Sequence, residues 1–336
     1  MVECTSPYSD EQQRVLINIE QHYDTWMAAE RAVTELPYGM KWAERSGKEY
    51  LYQVLDRIGN AKSLGPRSHE TEAAMANYTS SKTEINERRQ ASAQKLTESC
   101  ALYRSLRLPM IPSEAAKILR EADRRSMLGS KLLVVGTNAM PAYSVEAGGE
   151  INDAPTETDN FDMAWSALVR DDADLGVMAM LKAVDSTYSV NTERTFQVRN
   201  AKAFEFGLLA APSTVGNMIS NDKPSPLPLE EQEWLLLGTR LSHVVVARDG
   251  TPARLVVPDP RYFGLQKLWM SVQKKRDPRK RPKDRRQGMA VLSATKATMP
   301  HISMDEEFEK AIPVELQPFY EAWKVNYIEP PTPRWR

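Results

Sequence analysis

Three stretches of this chain carry residues whose types and spacing could do chemistry. The apolar run Lys131-Leu132-Leu133-Val134-Val135 ends in Gly136-Thr137. Thr158-Asp159-Asn160-Phe161-Asp162 leads into a second apolar segment, and Phe204-Glu205-Phe206-Gly207-Leu208-Leu209 sets one acid among apolar neighbours. Residues two apart on a strand share a face, so positions 160 and 162 can reach the same ligand, with position 205 joining from a neighbouring strand. Oxygen donors so arranged suit hard divalent cations. A glycine where backbone meets phosphate removes the Cβ obstacle and lets N–H groups point at the anion. Lys267 would then hold a phosphate as a point charge. Phosphate-centred transfer asks for these parts, because it depends on in-line positioning and on cations bridging phosphate oxygens.

Each part alone has a plainer reading. Gly136-Thr137 is then an ordinary strand-to-helix turn, and Asp162 an N-cap or surface acid. Their order along the chain is what points to a site. Glu205 adds to it, since an unpaired acid among Phe204, Phe206, Leu208 and Leu209 is costly and demands a partner such as a metal.

The elements that must position these residues can be read from periodicity. Ser9 with Asp10 and Glu11 reads as an N-cap and acidic first turn, opening a helix of about 25 residues with Val15, Leu16, Ile19, Tyr23, Trp26 and Met27 on its apolar face. Glu49–Leu55 reads as a strand, and Gly59-Asn60 turns it into a small hairpin with 61–65. Ser68–Leu106 contains neither Gly nor Pro and predicts one long, polar helix. Pro109 and Pro112 stop it, and Ser113-Glu114 opens a helix through Arg125 that ends at Gly129. An α/β unit begins near residue 130, with strands at 131–136 and 157–165 and a helix over 175–184. A hairpin is expected from Thr195–Val198, a turn at Arg199-Asn200, and Ala203–Leu209. A second runs from Ser242 to Val257 around Asp249-Gly250. Asp259-Pro260 caps the helix that carries Lys267, and two short helices follow before the Pro-rich end.

The order of parts resembles the nucleotidyltransferase fold of the DNA polymerase β superfamily, whose glycine turn lies under a triphosphate and whose strand-borne carboxylates hold two magnesium ions. Val256–Leu268, Arg276 and Lys283-Asp284 are similar to bacterial nucleotidyltransferase-like proteins of the abortive-infection toxin group. The resemblance covers about residues 130–296. It implies an α+β protein with a mixed-sheet core: a helical region with a small hairpin over 1–128, the nucleotidyltransferase core over 129–222, and a hairpin-and-helix part over 223–336. It also implies catalytic roles for Asp162, Glu205, Lys267 and Asp284. Nucleotide contacts would come from Gly136, Thr137, Thr158, Lys267, Arg276 and Lys283, and metal contacts from Asn160, Asp162 and Glu205. Mg2+ or Mn2+ would be the cofactor and an NTP the substrate, with RNA (including tRNA) or protein as acceptor and a regulatory protein as a further partner.

The chain departs from that pattern at Asn160, a neutral oxygen where the first carboxylate is expected, and at Thr137, where the turn's second Gly or Ser is expected. Asp159 is adjacent but faces the other side of a regular strand. Two functions therefore stand side by side: metal-dependent nucleotidyl transfer, favoured by Asp162, Glu205 and Lys267, and a catalytically silent nucleotide- or RNA-binding module, favoured by Asn160.

Composition narrows the classes further. In 336 residues, 44 Lys+Arg balance 45 Asp+Glu, so any charge-based function must be local. Lys274–Arg286 holds nine basic residues against two acids, which reads either as a solvated loop or as a binding segment for triphosphate or nucleic acid. Tyr50 and Tyr52 with Arg57, Lys62 and Arg67 read as packing on the long helices or as an RNA stacking surface. Cys4 and Cys100 are expected to be free thiols, and His22, His69, His243 and His301 lack zinc-ligand spacing. No stretch suits a membrane span or secretion signal, so a cytoplasmic location is expected.

Overall fold

A computed structural model describes residues 4–156, 161–169, 176–218 and 222–328. The chain divides into two compact units, Asn18–Ser99 and Met1–Ile17 with Cys100–Arg336.

Within the smaller unit, residues 18–35 of the helix Asp10–Glu35 turn Ile19, Tyr23, Trp26 and Met27 inward, and residues 69–99 of the helix His69–Ser105 bury Tyr78 and Leu96. The spacing of three and four makes these one face of each helix. His22 Nδ1 lies 2.7 Å from Ser99 Oγ. Between the helices in sequence comes a three-stranded antiparallel sheet of Gly39–Arg45, Lys48–Val54 and Ala61–Pro66. The hairpin expected from sequence is thus one strand larger. Ser46 (φ 54°) and Gly47 (φ 75°) make the extra two-residue turn, both with the positive φ that suits a tight hairpin. At the other turn, Asp56 Oδ1 accepts from the N–H groups of Ile58, Gly59 and Asn60.

The larger unit holds a six-stranded mixed sheet. Its order is Leu132–Val134, Phe161–Trp165, Glu205–Ala210, Gln197–Arg199, Ser189–Val190, with Leu227–Pro228 also paired to Glu205–Ala210. The Phe161–Trp165 and Glu205–Ala210 strands are parallel, Gly207 opposite Asp162, and their other main partners run antiparallel. This is the α+β architecture with a mixed sheet that the sequence implied. Of the strand expected over 157–165, positions 157–160 lie outside the described residues.

One hairpin differs from expectation in a way that matters to the site. Arg199 is not in the turn but in the arm, directly opposite Glu205. The turn belongs to Asn200, whose buried side chain accepts from the N–H groups of Lys202 and Phe204, both at 3.0 Å.

A second sheet pairs Leu241–Ala247 with Pro252–Val257 and Met110–Ile111, and the helix Ser113–Arg124, which packs on it, buries Ala115, Ile118, Leu119 and Ala122. Asp249 Oδ1 accepts from Thr251 N–H in its turn. The helix Pro260–Val272 starts where expected, with the fully buried Asp259 accepting from Arg261 N–H, Thr239 N–H and the Arg261 guanidinium. It crosses the helix Arg281–Thr298 closely at Gly264 and Gly288. A Cβ on Gly264 would stand 2.7 Å from Leu292 Cγ, and one on Gly288 would stand 2.7 Å from the Gly264 carbonyl. Only glycine permits this approach. The helices Glu306–Ala311 and Gln317–Asn326 close the unit around Phe308, Tyr320 and Trp323. No described helix is long and apolar enough to cross a membrane.

Candidate functional site

The site is assembled where the first turn of the mixed sheet meets the crossed helices. Leu132–Val134 is wholly buried, and the chain leaves it through Gly136 at φ 69°, a left-handed conformation that glycine adopts without cost. A short 3-10 turn, Gly136–Ala139, then feeds the helix Met140–Glu146, with Thr137 and Asn138 buried.

Asp162 extends from the neighbouring strand into the space between two glycines. A Cβ on Gly136 would lie 4.0 Å from Asp162 Oδ2, and a Cβ on Gly207 would overlap Asp162 Oδ1. Burial raises the Asp162 carboxyl above its ordinary range, and Glu205 adds to this, while Lys280, Lys267 and Arg276 pull the other way. Among the described residues no side chain donates a hydrogen bond to this carboxylate.

Glu205 lies two residues before Gly207 on the paired parallel strand, so it shares a sheet face with Asp162. Its partner is Arg199, which donates from Nε at 3.1 Å and more closely from Nη2. The partner that an acid among apolar neighbours demands is here, among the described residues, the guanidinium that the hairpin register supplies. Asn160 and Thr158 lie outside the described residues.

The glycine crossing brings Lys267 and Asp284 together from two helices. Lys267 Nζ donates to Asp284 Oδ1 at 3.0 Å, and Arg276 donates to both Asp284 oxygens at 2.6 and 3.1 Å. Lys267 is 4% and Asp284 1% exposed, so the pair sits in a low-dielectric interior where an unpaired charge would be expensive. Burial lowers the Lys267 ammonium against the pull of Asp284. Burial alone would raise Asp284, but Lys267 and Arg276 outweigh it and hold the carboxyl below the usual range. Lys283, one residue away, is lowered by burial and by Lys267. Lys267 also lies over the Phe263 ring, 5.5 Å from its centre.

Sequence reasoning missed Gln287. Its fully buried side chain donates to Thr137 Oγ1 at 3.3 Å and to the Pro155 carbonyl at 2.5 Å, tying the glycine turn to the helix of Asp284. Gln287 Oε1 is buried with no hydrogen-bond partner among the described residues. The available signal was spacing: 284, 287, 291 and 295 fall on one buried helix face, two of them far too polar for a simple core.

The basic segment is only partly a free cationic surface. Arg279 is matched by Asp277 at 3.0 Å, and Arg281 donates to the carbonyls of Arg276 and Lys274. Lys267, Arg276 and Lys280 remain the cations acting on Asp162. Asp162 and Glu205 on one sheet face are oxygen donors of the kind that suit a hard cation, and Glu205 shares its carboxylate with Arg199. Among the described residues no group of three His, Cys, Asp or Glu side chains is arranged around a common point for a metal ion.

The remaining candidates fall elsewhere. His243 and His301 both contact Glu146, the latter at 2.6 Å. Cys4 and Cys100 form no disulfide among the described residues, and burial pushes the Cys100 thiol up to about 12, which makes it unreactive.

The sequence model described as "Nucleotidyltransferase" matches residues 113–313, more than half of the chain and a span holding every site residue discussed above. Among solved structures, the chain is similar to an antigenic nucleotidyltransferase-like protein from Paracoccidioides brasiliensis. That match has 14% identity and a TM-score of 0.34, covering 66% of this chain and 97% of that one. No curated protein matches it.

Proposed function

The chain belongs to the nucleotidyltransferase family, and from that premise we propose that it moves a nucleotidyl group from an NTP to an acceptor hydroxyl on RNA or protein. The observation that carries this reading is the Asp162 carboxylate, held between Gly136 and Gly207 without a hydrogen-bond donor from the described residues and lying in the field of Lys267, Arg276 and Lys280.

The triphosphate would lie along the Gly136-Thr137 turn, where backbone N–H groups and no Cβ meet it. Arg276, Lys280 and Lys283 would balance its charge, and the buried Lys267–Asp284 pair would hold Arg276 in place. In the transfer, the acceptor oxygen bonds to the α-phosphorus as the bond to the bridging oxygen breaks and pyrophosphate leaves. Asp162, raised by burial, would take the hydroxyl proton. A Mg2+ or Mn2+ ion held by Asp162 and Glu205 would stabilise charge on the phosphate oxygens. With Asn160 at the first ligand position, such a centre carries one negative charge fewer than the superfamily's.

A second reading, a catalytically silent nucleotide- or RNA-binding module, is favoured by the Arg199–Glu205 pair, which neutralises one of the two carboxylates. The two readings separate when the protein is incubated with each α-labelled NTP, Mg2+ or Mn2+, and total RNA. Transfer yields labelled RNA or labelled protein. Nucleotide binding with no labelled product under either cation supports the silent module. By the likeness to abortive-infection proteins, we extend the transfer reading to a cytoplasmic bacterial enzyme restrained by a partner. A co-purifying protein that suppresses labelling would support that extension.

A further inference from the structure

We infer that the outward face of the three-stranded sheet in the Asn18–Ser99 unit binds single-stranded polynucleotide by stacking its bases. This goes beyond the transfer reading and does not depend on it, because this sheet contains none of the residues assigned to transfer.

The strand register sorts the side chains. Gly39 pairs with Val54, Lys41 with Tyr52, Ala43 with Tyr50 and Arg45 with Lys48. Paired residues and every second residue share a face, so Lys41, Arg45, Lys48, Tyr50 and Tyr52 stand together. On the third strand, Ala61, Ser63 and Pro66 complete that face. It holds no acid. Both acids of these strands, Glu44 and Glu49, occupy the opposite face with Trp42 and the fully buried Leu51.

That opposite face is the packed and charge-balanced one. Arg67 lies over Trp42 at 5.1 Å and pairs with Glu49 at 2.6 Å and Glu72 at 2.7 Å. On the outward face, Lys41, Arg45 and Lys48 are exposed, with no acidic partner among the described residues, and Tyr50 and Tyr52 are half-buried. Neither tyrosine hydroxyl has a hydrogen-bond partner among the described residues.

Aromatic rings along one strand, flanked by unpaired cations and lacking any acid, complement a ligand with flat apolar faces and a polyanionic backbone. A single strand presents both, whereas a duplex hides its base faces within the stack. An acidic protein segment would satisfy the cations but not the adjacent tyrosines. Tyr52, beside Lys41, offers the place where a stacked base and its phosphate are met together.

The experiment is fluorescence anisotropy on the full chain with labelled oligouridylate and oligodeoxythymidylate of about 12 nucleotides, and a duplex of equal length. Photo-crosslinking with thiouridine-substituted strands maps the contact. The wild type should bind either single strand more tightly than the duplex and crosslink at Tyr50 or Tyr52. Tyr50→Ala/Tyr52→Ala should weaken binding by about 10-fold or more, while Tyr50→Phe/Tyr52→Phe retains it. Lys41→Gln/Arg45→Gln/Lys48→Gln should lower the salt slope by about 2. Unchanged circular dichroism guards against misfolding. Crosslinks confined to residues 274–286, equal affinity for duplex and single strand, or full binding by the alanine pair would each overturn the inference. Competition by polyglutamate without crosslinks to the tyrosines would assign the face to a protein partner and overturn it too.

Discussion

Asp162 and Gly207 face each other across parallel strands so closely that any side chain at 207 would occupy the place of the Asp162 carboxylate. The glycine is therefore a positioning residue for the acid. Gly207→Ala should push the carboxylate off its position and destabilise the buried strand by about 1–3 kcal/mol. Nucleotide affinity should fall by more than that loss of stability explains at a temperature where the variant is fully folded. Calorimetric titration beside a thermal melt checks both. Normal binding would place the nucleotide elsewhere.

The elements of the fold and of the site were legible to different degrees and for different reasons. Gly136 after an apolar strand and Asp259-Pro260 before an apolar helix are local signals, decided within a few residues, and both lie where expected. The Ser242–Val257 hairpin was legible from Asp249-Gly250 in the same way. Arg199 was misread because Arg199-Asn200 looks like a polar turn, whereas the Asn200 side chain alone closes it and leaves Arg199 in register with Glu205. The strand Gly39–Arg45 was missed because Trp42-Ala43 are adjacent and Lys41 and Glu44 are three apart, which breaks the period-two pattern, and only Ser46-Gly47 marked its end. Spacing places Gln287 on a buried helix face, but its role was not legible, because that comes from Thr137 and Pro155, both more than 100 positions away in the chain.

Asp284 and Lys267 should respond unequally to mutation. Asp284→Asn leaves Lys267 buried without its counter-charge and should cost roughly 3–5 kcal/mol. Lys267→Met removes the cation and leaves Asp284 to Arg276, so it should cost less. Because Asp284 is held below the usual carboxylate range, its contribution is present above that range and lost as pH falls through the folded value. The stability gap between wild type and Asp284→Asn, read by denaturant melts, should narrow on acidification. A gap that does not vary with pH would mean that the pair adds no net charge stabilisation.

Asp162 should behave in the opposite sense. Its folded value is raised by burial, so its ionised form opposes folding, and the wild type loses stability as pH rises through that value. Asp162→Asn should therefore melt higher than wild type at neutral pH, and the advantage should vanish below the ordinary carboxylate range. The same variant should abolish nucleotidyl transfer. A lower melting temperature at neutral pH would show that the carboxylate is held by a partner that stabilises it.

Within the basic segment, neighbouring charges should separate cleanly. Arg279 is 90% exposed on its side chain and neutralised by Asp277, whose carboxyl it holds down at about 2, so Arg279→Gln should leave triphosphate binding unchanged. Arg281 holds two backbone carbonyls, so its loss should loosen the helix start more than it weakens any ligand contact. Lys280 is exposed, yet it gives the largest cationic pull on Asp162. Lys280→Gln should lower NTP affinity and reduce the salt slope by about 1. With that pull removed, the Asp162 carboxyl should rise further, so the pH at which transfer sets in should move upward. Titrations at several salt concentrations and a pH–rate profile read the two effects separately. An unchanged slope together with an unchanged profile would assign Lys280 to solvent and leave Lys267 and Arg276 as the cations facing the nucleotide.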